Sequence, residues 1–305
     1  MNLESKIGRL TSRAKAGIAL AFIALAATSG LAATLQWIGV PGGTASTNWS
    51  DAANWTSPQQ TYYNQVQFTG TGASLNSVFS VNNVIDNIST VAQMPIWELD
   101  FVPTNANYTT LIDPGITLTL DAGNGQVFVG ADALNTASPA PANAIETITL
   151  LGAGGAFSMN GNLHVNQGSV TGGDIHNVTL DLSGLDSFTD TGPEILVASG
   201  GAHFSHGTLY LAKTNNIYLG NDFQLCNQAF SNSVPCAVYL GQNSSIATGT
   251  GNLIIGGSGT TLVGAWMKFN PAFIGGANPV PSAYIYGNGG SGRVANFWIC
   301  NANGA

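Results

Sequence analysis

Between Leu163 and Ile255 the chain keeps returning to one small unit. Leu163-His164-Val165, Val178-Thr179-Leu180, Ile195-Leu196-Val197, Leu209-Tyr210-Leu211, Ile217-Tyr218-Leu219, Val238-Tyr239-Leu240 and Leu253-Ile254-Ile255 are all apolar–any–apolar, and most are closed by Gly, Asn or Asp. Successive units start 14 to 17 residues apart, except for one gap of 8 and one of 21. The longest gap carries the clearest echo: Ile217-Tyr218-Leu219-Gly220-Asn221 returns as Val238-Tyr239-Leu240-Gly241-Gln242. Within each triplet, alternation sends the two outer side chains to one face, which is the pattern of a half-buried strand. Strands at this spacing with no helical stretch between them predict an all-β fold, either a solenoid coil or a β-sandwich.

The composition agrees. Of 305 residues, 39 are Gly, 44% are hydrophobic and only 7% are charged. β-Branched and aromatic residues punctuated by Gly and Asn suit strands and tight turns. Stacked coils also explain the low charge, because like charges repeated at the strand spacing of ~4.8 Å would repel. Asn side chains, by contrast, can pair from coil to coil through their amides. A sandwich would place hairpin dipeptides between neighbouring strands. Asn124-Gly125, Asn160-Gly161 and Asn303-Gly304 keep that alternative open.

The N-terminus reads differently. Lys6, Arg9, Arg13 and Lys15 precede an apolar run from Ile18 to Leu31, and Leu31-Ala32-Ala33 offers small residues for cleavage. Those three parts make residues 1–33 a secretory signal peptide, and ~14 apolar residues fall short of the roughly 20 that span a bilayer. The mature chain is expected to be secreted or held at the cell surface. It retains only Lys213, Lys268 and Arg293 against 14 acids, a balance that repels phosphate and excludes nucleic acid as a partner.

Residues 34–75 open with Trp37-Ile38-Gly39 and Asn48-Trp49-Ser50-Asp51, followed by Asn54-Trp55 and Val66-Gln67-Phe68. The indoles can close the open end of a solenoid whose core would otherwise meet water. Alternatively Trp49 and Trp55, with Asp51 beside them, can stack on sugar rings. These motifs resemble the N-terminal segment of bacterial autotransporter-associated β-strand repeat proteins. Val178 to Leu185 and Leu209 to Asn215 are similar to Gly-rich surface proteins of the same kind. The resemblance implies a right-handed parallel β-helix, as does the usual crossover hand, with residues 76–305 as the solenoid. The chain departs from that family in showing no large C-terminal barrel segment, so it reads as cut short or displayed by another route.

Catalytic chemistry is thinly supplied. His203 and His206 stand at i, i+3 among glycines, not at a metal-ligand spacing. Asp181 could pair across coils with Asp186 or with Asp174 as glycosidase carboxylates, but Asp186 and Asp190 lie in a Ser/Thr/Gly stretch that reads as solvated loop. Gly152-Ala153-Gly154-Gly155 precedes no helix, so a dinucleotide reading fails. No catalytic residue, metal or cofactor is expected. Cys226 and Cys236 bracket an apparent insertion and could form a disulfide in an oxidising compartment, leaving Cys300 over. The sequence thus predicts an exported, non-catalytic β-solenoid with a structural or adhesive role. The alternatives are a carbohydrate-binding or carbohydrate-cleaving β-helix, with glycans or cell-surface components as partners, and a self-associating filament subunit.

Overall fold

A computed structural model describes residues 34–39, 48–49, 52–56, 64–69, 76–79, 96–102, 106–120, 125–130, 145–166, 176–199, 205–226, 236–256, 264–275, 279–287 and 292–299. Residues 1–33, read above as a signal peptide, together with Asp51, Asp174, His203, Cys300 and the Pro-containing stretch 135–143, lie outside the described residues.

The strands stack in parallel as a β-solenoid with three faces. Among the described residues the first face carries β1 (Thr34–Gln36), β2 (Asn64–Phe68), β4 (Ile96–Phe101), β7 (Gln126–Val129), β9 (Leu163–Val165), β11 (Ile195–Val197), β14 (Phe223–Leu225), β17 (Asn252–Ile255) and β20 (Asn296–Ile299). The second face runs through β3 (Asn76–Phe79), β5 (Tyr108–Ile112), the first part of β8 (Ile145–Met159), the first part of β10 (His176–Asp190), β12 (Ser205–Tyr210), β15 (Cys236–Leu240) and β18 (Ala265–Phe269). The third takes β6 (Thr117–Leu120), the ends of β8 and β10, then β13 (Thr214–Leu219), β16 (Asn243–Thr248) and β19 (Ser282–Tyr286). Among the described residues every strand pairing is parallel, which excludes the β-sandwich. Among the described residues the one antiparallel contact is an isolated bridge from Trp37 to Trp55.

Stacked partners on the first face are 28 residues apart at the closest (Leu99 and Val127) and 44 at the widest (Leu253 and Phe297). The 14- to 17-residue spacing in the sequence is therefore about half a coil. The most persuasive echo was misleading. Ile217-Tyr218-Leu219 lies on the third face and stacks on Ile246 to Thr248, while Val238-Tyr239-Leu240 lies on the second and stacks above Leu209 and Tyr210.

Inward rows fill the core. On the first face Leu35, Val66, Leu99, Val127, Leu163, Ile195, Phe223 and Leu253 follow one another, all buried. Burying each such side chain contributes roughly 1.5–3 kcal/mol. Strict alternation over Trp97, Leu99 and Phe101 predicts all three on one face. A register shift between Asn64 and Gln65 puts Ile96 inside instead, and Trp97 is only partly buried.

The corner after the first face repeats as faithfully as the strands. Gly130, Asn166, Ala198, Cys226 and Gly256 all adopt positive φ, from 49° at Ala198 to 82° at Gly256. Each donates its amide to the carbonyl at the end of the first-face strand below: Phe101, Val129, Val165, Val197 and Leu225 respectively. Side chains form ladders as well. Gln36 donates to Gln67, and Gln67 donates to Asp100. Near the far end Asn252 donates to Asp222, and Asn296 donates to Asn252.

Candidate functional site

The sequence-predicted candidates are mostly packed away. Trp49 and Trp55 meet edge to face at 5.5 Å, Trp37 meets Trp55 at 5.0 Å, and Phe68 lies against all three. The Trp55 indole N–H donates to the Trp49 carbonyl at 2.9 Å. Trp49 is fully buried and Trp55 is 3% exposed, so their ring faces are engaged by protein. From Phe68 the aromatic packing continues to Phe101, stacked at 4.8 Å, and to Tyr108. The cluster thereby joins the first rungs to the core.

Among the described residues, Asp181, Asp186 and Asp190 lie at separate places along one long strand. Asp181 accepts from the Ser183 amide and hydroxyl. Asp186 is exposed, beyond the corner at Gly184 on the same strand. Asp190, read from the sequence as a solvated loop residue, is fully buried at the end of β10. It occupies an inward row otherwise built from Leu120, Met159, Ile217 and Ile246. Its Oδ1 accepts from the Gly192 amide, while Oδ2 has no hydrogen-bond partner among the described residues. Burial pushes its pKa up to about 8, against the smaller opposing pull of the Gly192 hydrogen bond. His164 pairs with Glu194 at 3.2 Å across adjacent first-face rungs. Among the described residues no group of three His, Cys, Asp or Glu side chains is arranged to hold a metal ion.

The surface that does combine several recognition groups is the outward side of the second face. Register aligns Thr149, Asp181, Tyr210, Tyr239 and Lys268 in one row, with Thr147, Thr179, Thr208, Ala237 and Trp266 in the next. The Tyr210 and Tyr239 rings stack at 4.3 Å with only 5° between their planes, close to the natural spacing of paired strands. Lys268 Nζ sits 5.0 Å from the Tyr239 ring centre and 4.4 Å from that of Trp266, in cation–π geometry. Partial burial raises the Tyr210 phenol pKa, and Tyr239 and Asp181 push it further the same way. Trp266 is 48% exposed. Beside the two rows lies a cavity of about 230 Å³ lined by Asn177, Val178, Thr179, His206 and Thr208.

Sequence reasoning missed this ridge, though a signal existed. Tyr210, Tyr239 and Lys268 are 29 residues apart in turn, and so are Thr208, Ala237 and Trp266. That interval is a full coil. Triplets at half that distance belong to different faces, so their spacing carries no trace of the outward rows.

No family model, curated protein or solved structure matches this chain. The parallel β-solenoid implied by the autotransporter-associated resemblance is present, while membership of that family rests on the quoted motifs alone.

Proposed function

We propose that the chain is an exported, non-catalytic β-solenoid with a structural or adhesive role outside the cytoplasm. The observation that carries this reading is the allocation of residues. From Leu35 to Ile255 the inward positions form rows that are apolar but for a few buried polar residues such as Asp190, Asn215 and Ser244, and many outward polar groups are spent on coil-to-coil hydrogen bonds such as Gln36–Gln67–Asp100. A column built this way resists bending and offers long flat faces, which suits a spacer or an attachment surface. Export rests on the charged and apolar pattern of residues 1–33. The full chain, expressed in a bacterium with a general secretory pathway, is expected outside the cytoplasm with its N-terminus close to Thr34. Retention in the cytoplasm with Met1 intact, read by fractionation and N-terminal mass spectrometry, would exclude export.

A second reading, glycan binding, is favoured by the outward ridge on the second face rather than by Trp49 and Trp55. Half-exposed Trp266, Lys268 and the phenol edges of Tyr210 and Tyr239 combine an apolar platform with donors, the pairing that carbohydrate recognition uses. A glycan array probed with residues 34–305 is expected to show binding that Trp266→Ala weakens at least tenfold, about 1.4 kcal/mol. Binding unaffected by Trp266→Ala, or no binding by the parent, would remove this reading.

A further inference from the structure

We infer that the second-face ridge takes an acidic polysaccharide, with Lys268 holding a ring carboxylate or sulfate beside a sugar stacked on Trp266. This rests on the glycan-binding reading above and names the class of glycan. The charges along the chain are sorted. Every Asp and Glu lies at or before Asp222, and residues 223–305 carry Lys268 and Arg293 with no acid between or beyond them. The column is acidic through its early coils and has no negative side chain from β14 onward.

Coil register decides where the Lys268 charge stands. Tyr239 on β15 pairs with Lys268 on β18, and Ala237 pairs with Trp266. An indole and an ammonium therefore sit two residues apart on one strand, on the same side of the sheet, and both are exposed. Nζ lies 4.4 Å from the Trp266 ring centre and 5.0 Å from that of Tyr239. Tyr239 is itself stacked on Tyr210 at 4.3 Å. Ring faces thus anchor the ammonium, and among the described residues it has no carboxylate and no hydrogen-bond acceptor. Its three N–H donors are left for solvent or a ligand. Anchoring also matters for binding, because a flexible side chain that is already placed loses less entropy when an anion arrives.

Among the described residues the acid in the same row is Asp181, three rungs away through Tyr239 and Tyr210. At the strand spacing of ~4.8 Å that is about 14 Å. The Debye length at physiological ionic strength is about 8 Å, so Asp181 leaves the Lys268 charge uncancelled. Asp181 is also held at its own rung by the Ser183 amide and hydroxyl. A chain lying along the row meets a cation at one end and a carboxylate at the other. Its acidic sugar belongs over Trp266 and Lys268, and uncharged rings belong along the phenol edges of Tyr239 and Tyr210. The acidic early coils repel the ligand's charge, which directs it to the last coil.

The test titrates the full chain with oligomers of galacturonate, glucuronate and mannuronate, each beside its methyl ester of equal length, and with a sulfated galactan beside its desulfated form. The ester keeps ring and linkage and removes the charge. At low salt at least one acidic form is expected to bind roughly fivefold or more tightly than its neutral counterpart, the upper range for an exposed charge pair. The gap should narrow as salt is raised, and the pair that shows it tells carboxylate from sulfate. Lys268→Gln should close the gap by weakening the acidic form. Lys268→Arg should keep it, since a guanidinium also stacks on aromatic faces. Lys213→Gln removes the same charge from an exposed position outside the ridge and should leave the gap intact. Neutral forms bound as tightly as acidic ones, or equal losses in Lys213→Gln and Lys268→Gln, would overturn the acidic assignment and leave glycan binding standing. No binding of any form would remove glycan binding and this inference together.

Discussion

Gly152→Ala is expected to destabilise the solenoid by roughly 4–5 kcal/mol, the upper end for a single substitution. Gly152 lies where β8 turns from the second face to the third, at φ +145°. A Cβ there would stand 1.9 Å from the Ile112 carbonyl oxygen and 2.9 Å from its carbon. That contact is with backbone of the adjacent coil, so no rotamer change relieves it. The coils must separate locally, and the hydrogen bonds from Gly115 to Gly154 and from Ala156 to Ile116 go with them. Gly115→Ala is the matched control. Gly115 also has positive φ, +76°, but nothing lies within 4 Å of its would-be Cβ. It should lose only the conformational cost, about 1–2 kcal/mol. Because each coil contacts only its neighbours, hydrogen exchange in Gly152→Ala should quicken first in β5, β8 and β10. Equal urea midpoints for the two variants would show that the coils yield at this corner without penalty.

The same corner shows what a sequence can and cannot reveal. Gly152-Ala153-Gly154-Gly155 is legible as backbone that needs unusual conformations, and its lack of a following helix removes a nucleotide-binding role. Which carbonyl it passes is fixed by the coil below and leaves no local trace. The triplets likewise reveal strands and an apolar interior, because alternation is a property of each strand alone. Assigning them to faces needs the coil length, and this varies with the connecting segments. Ile217-Tyr218-Leu219 and Val238-Tyr239-Leu240 look alike because both bury their outer residues beside a Gly turn, not because they stack. The tryptophans illustrate a different limit. Their clustering was visible, but ring faces spent on other rings and ring faces open to sugar have the same sequence. Trp266, half-exposed beside Lys268, lies far along the chain from the conspicuous cluster, and nothing in its immediate sequence marks it as open.

Ser187 to Gly192 carries Ser, Asp, Thr and Gly, residues typical of solvated turns, so the sequence alone places Asp190 in solvent. In the coil, β10 continues through Asp190 and its alternation turns that carboxyl inward beside Met159 and Ile217. A pH-dependent loss of stability follows. The pKa is raised from 3.8 to about 8. Between those values the folded protein keeps a proton that the unfolded chain has released. Stability is therefore full below pH about 4, falls as pH rises, and levels off above about 8, with a slope approaching about 1.4 kcal/mol per pH unit in the window. Asp190→Asn keeps an oxygen to accept from Gly192 and removes the ionisation. It should flatten the profile across this window and exceed the parent in urea midpoint at pH 8, while matching it more nearly at pH 4.5. Asp190→Leu, which completes the aliphatic row, should flatten it too, at the cost of the hydrogen bond to the Gly192 amide. A parent midpoint that stays level or rises from pH 4.5 to 8, with the Asn variant following the same curve, would mean that this carboxyl is already charged inside the column.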